Sequence, residues 1–509
     1  MDSAIDFEPW SKNVDSIGEY IMFLHTSETA HARKISSKMR LDENGFLSES
    51  DISIIITGLQ KASDDKLVSM YPDKCDDPNL FSMIKNEVFG QMSKRNGQSQ
   101  PFKNDRIFGR YKKIFDSKGY PYLYNWLITS LSVPIFHSLG DTIGYHDGKW
   151  EFNHGSENQA PEYVNILLYE FIDLGGINDM SIKNWKCSDD TIMYMATMKT
   201  LYYNTDGDFD SLGKLFQKNY VDIQSMIYDR HPGTATMNSL DTQKLVKWDK
   251  LPYDPKVIGA GPAMRSGFIG VMYQNDDDTS LKKLIEVCII SSIITHNSAT
   301  AIMGSIVAAY FTSLAMRKVS INKWPHKLIK LIKSDFIDNA ISKIKPNDYI
   351  YYQRDRIQYL GQWEKYVKLF FDGTKPRLDI KGSRNLVERY RDLAANFSKG
   401  CDIPGSCGDD CLIIAYDSIL RCNGSLEKIL VYSILHPGDS DTVGSIAFSW
   451  FGAYYNSIKI QKIVEPLADN LEYIKLLQKY QKFMFVALIR YFFTSVYHNI
   501  AVNYIESMQ

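Results

Sequence analysis

The sequence predicts an all-α protein. Three observations carry that reading. Apolar residues recur at helical spacing through most of the chain after residue 122. Few segments alternate apolar and polar residues in the manner of strands. Gly, Ala and Ser are mixed into the apolar stretches, which suits helices packed at close range.

In chain order, residues 1 to about 118 come first. They are polar and mixed, with apolar patches at Ile17–Leu24 and Ile54–Ile56 between charged runs. They read as an N-terminal helical extension, a candidate surface for a protein partner or a lid. Within them, 91–103 (QMSKRNGQSQPFK) reads as a linker or exposed loop. Residues 119–509 read as the second domain. Its pattern opens at Asn125 to Ile135 and runs into FHSLGDTIGY at 136–145. Helical segments follow at 190–202, 281–294, 300–318, 411–420, 426–435 and 443–455, and 462–509 reads as further helix covering the core.

Composition bounds the partners. The chain has 509 residues, 44% hydrophobic and 23% charged, with a net charge of -2 and a pI near 6.6. That is an ordinary globular composition. No basic field draws it to nucleic acid. The basic runs at Lys323–Lys327 and Lys343–Lys345 read as solvated faces. The stretch Val287–Met316 lacks Asp, Glu, Lys and Arg, yet Thr295, His296, Asn297 and Ser298 interrupt it. It reads as two buried helices joined at a polar turn, not as a membrane span. The N-terminus MDSAIDFEPW shows no leader pattern. Seven cysteines, an odd number, suggest a reduced compartment and hence a cytoplasmic protein. Cys401, Cys407 and Cys411 read as free thiols in a Gly/Asp-rich loop, because zinc would want a fourth ligand and tighter spacing.

The chemistry sits in two acidic motifs. Ser188-Asp189-Asp190-Thr191 opens one helical segment, and Gly438-Asp439-Ser440-Asp441-Thr442 follows a Pro-Gly turn and opens another. Hydroxyls and first-turn carboxylates suit helix N-termini, so two separate caps are one reading. The other is a shared site, since carboxylates with hydroxyls are the hard-oxygen ligand set of magnesium. Gly444, Ser445 and Ala447 leave room for a partner helix. Asp141 lies between glycines, where backbone can approach a ligand. Arg230-His231-Pro232-Gly233-Thr234-Ala235-Thr236 is a turn that could cradle phosphate or be a plain loop. His296 reads first as a hydrogen-bonded core histidine.

These pieces, with their order, resemble the ADP-ribosylglycohydrolases, and most closely the ADP-ribosylarginine hydrolase branch. The matching residues are Gly140–Tyr145 with Asp147–Phe152, Ser188–Thr191, Arg230 with Pro232-Gly233, Gly261–Arg265, Thr295-His296, Ser406–Asp410 with 413–417, and His436 with Gly438–Thr442. They span roughly 122 to 460.

The resemblance implies an orthogonal helix bundle with two Mg2+ ions at the base of an ADP-ribose cleft. By motif, Ser188, Asp189, Asp190, Asp439, Asp441 and Thr442 would be the metal ligands. Asp190 or Asp441 would take a proton from water, and Glu151 would sit in a mobile segment near the scissile ribose. Trp150 would wall the pocket. Asp141, Tyr145, Arg230, Gly233, Thr234, Thr236, His296, Ser406, Gly408 and Asp410 would contact substrate. The implied reaction is hydrolysis of the bond between ADP-ribose and arginine on a modified protein or peptide, by a monomer. Alternatives are ADP-ribosylserine, poly-ADP-ribose or O-acetyl-ADP-ribose as substrate, or a scaffold that binds ADP-ribose without turnover. Two departures bear on specificity. Pro437-Gly438 stands for the family's Gly-Gly, and Asp409 for the branch histidine. An extra carboxylate there could pair with a guanidinium.

Overall fold

The computed structural model describes residues 129–130, 132–151, 161–203, 208–378, 385–401 and 403–477. All lie in one compact unit, Thr129–Tyr480. The proposed extension 1–118, the residues 119–128 and most of the last expected helix lie outside the described residues.

The architecture is all-α, as its periodicity requires. Among the described residues the strands are Phe371–Asp372 and Lys375–Pro376, a short hairpin. Helices Asp189–Tyr203, Asp278–Ile293, Ala299–Met316, Asp410–Cys422, Leu426–Ser433 and Ser440–Tyr455 stand where the apolar spacing places them. At the C-terminal end the described helical residues are Ile458–Ala468 and 474–477.

Ala299–Met316 is the central element. It packs against Gly261–Arg265, Gly267–Met272, Asp278–Ile293, Tyr349–Phe370 and Ser440–Tyr455. Its length and apolarity would let it cross a membrane, but 94% of it is buried inside the protein. Small residues explain how so many helices reach it: a Cβ at Gly270 would lie 1.9 Å from the Ala309 carbonyl oxygen. Phe311 on this helix meets Trp324, Trp363, Tyr416 and Trp450 at centroid distances of 5.3 to 5.7 Å. The Trp450 indole also donates to the Ala308 carbonyl at 3.1 Å.

A second close approach positions the site. Residues 132–145 form a helix, so the glycines on either side of Asp141 lie within it. A Cβ at Gly140 would lie 2.4 Å from the Gly444 carbonyl oxygen, and one at Gly144 would lie 2.4 Å from that of Ser440. The glycines of this motif therefore serve helix–helix approach. Backbone meets backbone, and the second acidic motif is drawn against the residues around Asp141. The Ser440 hydroxyl fixes the register by donating to the Gly144 carbonyl at 2.8 Å.

Candidate active site

Ser188 caps its helix as the sequence suggests, accepting from the Asp190 N–H at 3.1 Å. Asp439 caps the other, accepting from the Thr442 N–H at 3.2 Å. The two caps are not separate. The Ser445 hydroxyl donates to Asp190 Oδ2 at 2.9 Å, and the Thr442 hydroxyl donates to Asp190 Oδ1 at 3.4 Å. Residues 252 to 255 positions apart thus meet at one carboxylate.

Asp141 ties this centre together. Its two oxygens accept from the N–H groups of Ser188 at 3.0 Å and Thr191 at 2.9 Å. It is fully buried. Burial, then the charge of Asp441, pushes its carboxyl up to about 7. In this arrangement Asp141 holds the first motif in place from behind.

Beyond the 132–145 helix the chain turns through His146, Asp147 and Gly148, all with positive φ. Asp147 Oδ1 accepts from the Lys186 N–H at 2.8 Å, which anchors the turn beside the first motif. The turn delivers Glu151 to the carboxylate group and buries it. His231 Nδ1 lies 3.0 Å from Glu151 Oε2, and the Tyr145 ring meets His231 edge-on at 5.4 Å. Burial raises the carboxyls of Asp189, Asp190, Asp439 and Glu151, and Asp441 is the largest charge acting on each.

Trp150 and Arg230 are placed differently from the expectation. Trp150 is fully buried, donates to Glu170 Oε2 at 2.7 Å and packs edge-on against His146. It belongs to the core behind the turn and does not wall a pocket. Arg230 is bonded to Glu472 at 2.6 and 2.7 Å and to the Cys187 carbonyl at 2.7 Å. Both terminal nitrogens of its guanidinium are occupied within the protein. Glu472 also accepts from the Cys187 N–H at 3.2 Å, so it clamps the residue before the first motif. Nothing in the sequence marks Glu472.

A second group flanks the acids. Thr234–Gln243 is a helix whose N-cap, Gly233, makes no side-chain capping bond. An uncapped N-terminus is suited to an anion. Thr236, Gly261 and His296 come together: a Cβ on Gly261 would lie 3.0 Å from His296 Cε1 and 3.3 Å from Thr236 Oγ1. The loop ending in Asp410 closes this side. Gly259 bridges Cys407, the Ala260 N–H donates to the Ser406 carbonyl at 2.9 Å, and Gly408 N–H donates to the Ile258 carbonyl at 2.8 Å. Ser406 spends its hydroxyl on the Ile403 carbonyl. Asp410 accepts from the N–H groups of Gly405 and Cys407 at 2.7 and 3.0 Å, and burial beside Asp409 raises it to about 7. Asp410 shapes the loop. Asp409 accepts from the Asp410 N–H and lies 3.4 Å from the Gln362 amide.

The cysteines depart from the expectation of free thiols. Cys401 and Cys407 form a disulfide, while Cys187, Cys288, Cys411 and Cys422 are free and buried. Gly405, at φ +94°, folds the six-residue spacing back to a Cα separation of 5.9 Å, within disulfide reach. Their sulfurs and the carboxylates of Asp409 and Asp410 lie within 4.8 Å of one another. With the sulfurs bonded to each other and Asp410 occupied by backbone donors, this set has few ligand atoms left for a cation.

Comparison with known proteins places this chain in the glycohydrolase class. A family model described as ADP-ribosylglycohydrolase matches residues 137–488. The chain belongs to the ADP-ribosylglycohydrolase family. It is 48% identical over 391 residues to "Putative ADP-ribosyl glycohydrolase L444" of Acanthamoeba polyphaga mimivirus, covering 75% of each chain. It is 30% identical over 371 residues to "ADP-ribosylhydrolase ARH1" of Dictyostelium discoideum, covering 66% of this chain and 92% of that one. A solved "ADP-ribosylglycohydrolase-related protein complex" chain aligns at 16% identity with a TM-score of 0.42, over 72% of this chain and 98% of its own.

Proposed function

We propose that the chain hydrolyses the bond between ADP-ribose and an amino-acid side chain of a modified protein, with arginine as the first acceptor to test. The observation that carries this is the meeting of the two acidic helix starts at Asp190, within hydrogen-bond reach of Thr442 and Ser445. The 30% identity to a protein named ADP-ribosylhydrolase ARH1 supports the choice of linkage.

The donor set fits divalent cations. Asp189, Asp190, Asp439 and Asp441 are buried together with the hydroxyls of Ser188 and Thr442. Burial and the charge of Asp441 disfavour the ionised forms of Asp189, Asp190 and Asp439, a cost that bound positive charge would offset. These six residues would hold two Mg2+ ions. When bound, such ions supply Lewis acidity to a water and orient the ribose hydroxyls.

The chain's own groups do the rest. Asp141 fixes the first motif through two backbone N–H groups. Asp190 and Asp441 would take a proton from water, and Glu151 lies beside them, its carboxyl raised by burial and by the neighbouring carboxylates. Backbone N–H groups at Thr234–Thr236 offer an anion site for the diphosphate, with His296 alongside. Asp409 is drawn to its own helix start and to Gln362, which weakens the guanidinium contact expected of it. That favours keeping the serine linkage as a second reading.

The test is release of ADP-ribose from arginine-linked and serine-linked peptides, with and without Mg2+. Asp190→Asn and Asp441→Asn should each lower turnover at least about 100-fold, the scale of positioned acid–base help. Full activity in either variant, or in EDTA, would overturn the mechanism. Binding of ADP-ribose without any release would identify a scaffold instead.

A further inference from the structure

One buried residue beside the site takes no part in the proposed mechanism. Arg265, at the end of Gly261–Arg265, is wholly inaccessible. Its Nη2 donates to the Ser291 carbonyl and to Thr295 Oγ1, both at 2.8 Å. The guanidinium lies 4.6 Å from the centre of the Tyr220 ring. Among the described residues Nε and Nη1 have no hydrogen-bond partner.

We infer that Arg265 and Thr295 act as positioning residues that fix His296 as an Nε2–H donor to an oxygen of the bound ADP-ribosyl group. Counting protons fixes the tautomer. Arginine can only donate, so Thr295 Oγ1 accepts from it. The threonine hydroxyl hydrogen then needs an acceptor of its own. His296 Nδ1 lies 2.8 Å away. If Nδ1 carried a proton and donated to Oγ1, the hydroxyl hydrogen would be stranded in a fully buried place. A stranded buried donor disfavours that arrangement about tenfold or more. Nδ1 is therefore the acceptor, and the ring proton sits on Nε2.

Nε2 faces the backbone of Gly259 and Gly261. A Cβ on Gly259 would lie 3.1 Å from it, and one on Gly261 would crowd Cε1 and Thr236 Oγ1 together. Glycine at both positions keeps the ground between His296 and the Thr234–Gln243 N-terminus clear. Among the described residues Nε2 makes no hydrogen bond. Burial, then the charge of Arg265, holds the ring pKa down to about 3, so the donor is neutral imidazole. Arg265 also acts on Asp189. The charge of the same guanidinium thus reaches both His296 and the first acidic motif.

The identity of the acceptor rests on the ADP-ribosyl reading above; the tautomer does not. Long-range 1H–15N spectra of 15N-histidine protein at pH 7 report it directly, with His296→Asn for assignment. Arg265 variants would unfold, so Thr295 is the position to change. In wild type the His296 ring should show the Nε2–H pattern. Thr295→Ser should keep that pattern and the ADP-ribose Kd. Thr295→Val should give mixed tautomers and a Kd weakened about five- to tenfold, the scale of one lost buried hydrogen bond. An Nδ1–H pattern in wild type would overturn the inference. So would a Thr295→Val protein with unchanged spectrum, whatever its affinity, or with changed spectrum and unchanged Kd. Failure of wild type to bind ADP-ribose at all would instead refute the functional reading and leave the spectrum to decide the tautomer.

Discussion

Replacing Asp141 by asparagine sets two effects of known sign against each other. The side chain accepts from the N–H groups of Ser188 and Thr191, one on each oxygen. Asparagine keeps one acceptor and turns an amide toward the other N–H. That loss costs about 1–3 kcal/mol. Against it stands the charge. The folded carboxyl titrates at about 7 and the unfolded one near 3.8, because burial and Asp441 oppose ionisation. A carboxyl raised in this way contributes stability that is present below its unfolded pKa. The contribution is lost as pH rises through its folded value. At pH 8, without metal, ionised Asp141 costs about 4 kcal/mol, and asparagine removes that cost. Asp141→Asn should therefore be more stable than wild type by about 1–3 kcal/mol at pH 8 in EDTA. By pH 4 the advantage should vanish or reverse. Urea denaturation between pH 4 and 8 measures both. A variant less stable than wild type across the whole range, with the same pH slope, would refute the assignment of a buried charge to Asp141. Turnover should still fall, because the first motif loses one of its two supports.

Other outcomes follow from single contacts. Glu472→Gln leaves Arg230 buried without its counter-charge and loosens the clamp on Cys187; it should cost about 2–3 kcal/mol in denaturant unfolding and lower ADP-ribose release. The conservative Glu472→Asp, too short for both bonds, should fall between. Gly140→Ala puts a methyl 2.4 Å from the Gly444 carbonyl. Separation of the two helices should outweigh alanine's better helix propensity and leave a net loss of about 1–3 kcal/mol, read as a lower melting temperature.

Much of the fold is legible in the residue pattern alone. Ala299–Met316 and Asp278–Ile293 are so rich in apolar and small residues that burial is the natural reading of both. Tyr349–Phe370 is not legible in the same way. Its sequence is polar, and its buried stripe consists of Tyr352, Tyr359, Trp363, Tyr366 and Phe370. Aromatic residues with polar ends do not announce a core face to a search for aliphatic runs. The glycines within the 132–145 helix escape the pattern for another reason. Glycines at 140 and 144 weaken a helix by propensity, and only the backbone of Ser440–Tyr455 lying against them explains their presence.

The sequence by itself determined that this is a mostly helical fold with two acidic helix starts, because periodicity and capping chemistry are local properties. It also marked the loops around Arg230, His296 and Asp410 as part of one family pattern. Tertiary structure alone decided what each of those residues does. Arg230 is consumed by Glu472 and Trp150 by Glu170, whereas Asp141 turns from a contact residue into a brace. The physical reason is that a buried polar group is defined by its partner, and each of these partners comes from another part of the chain.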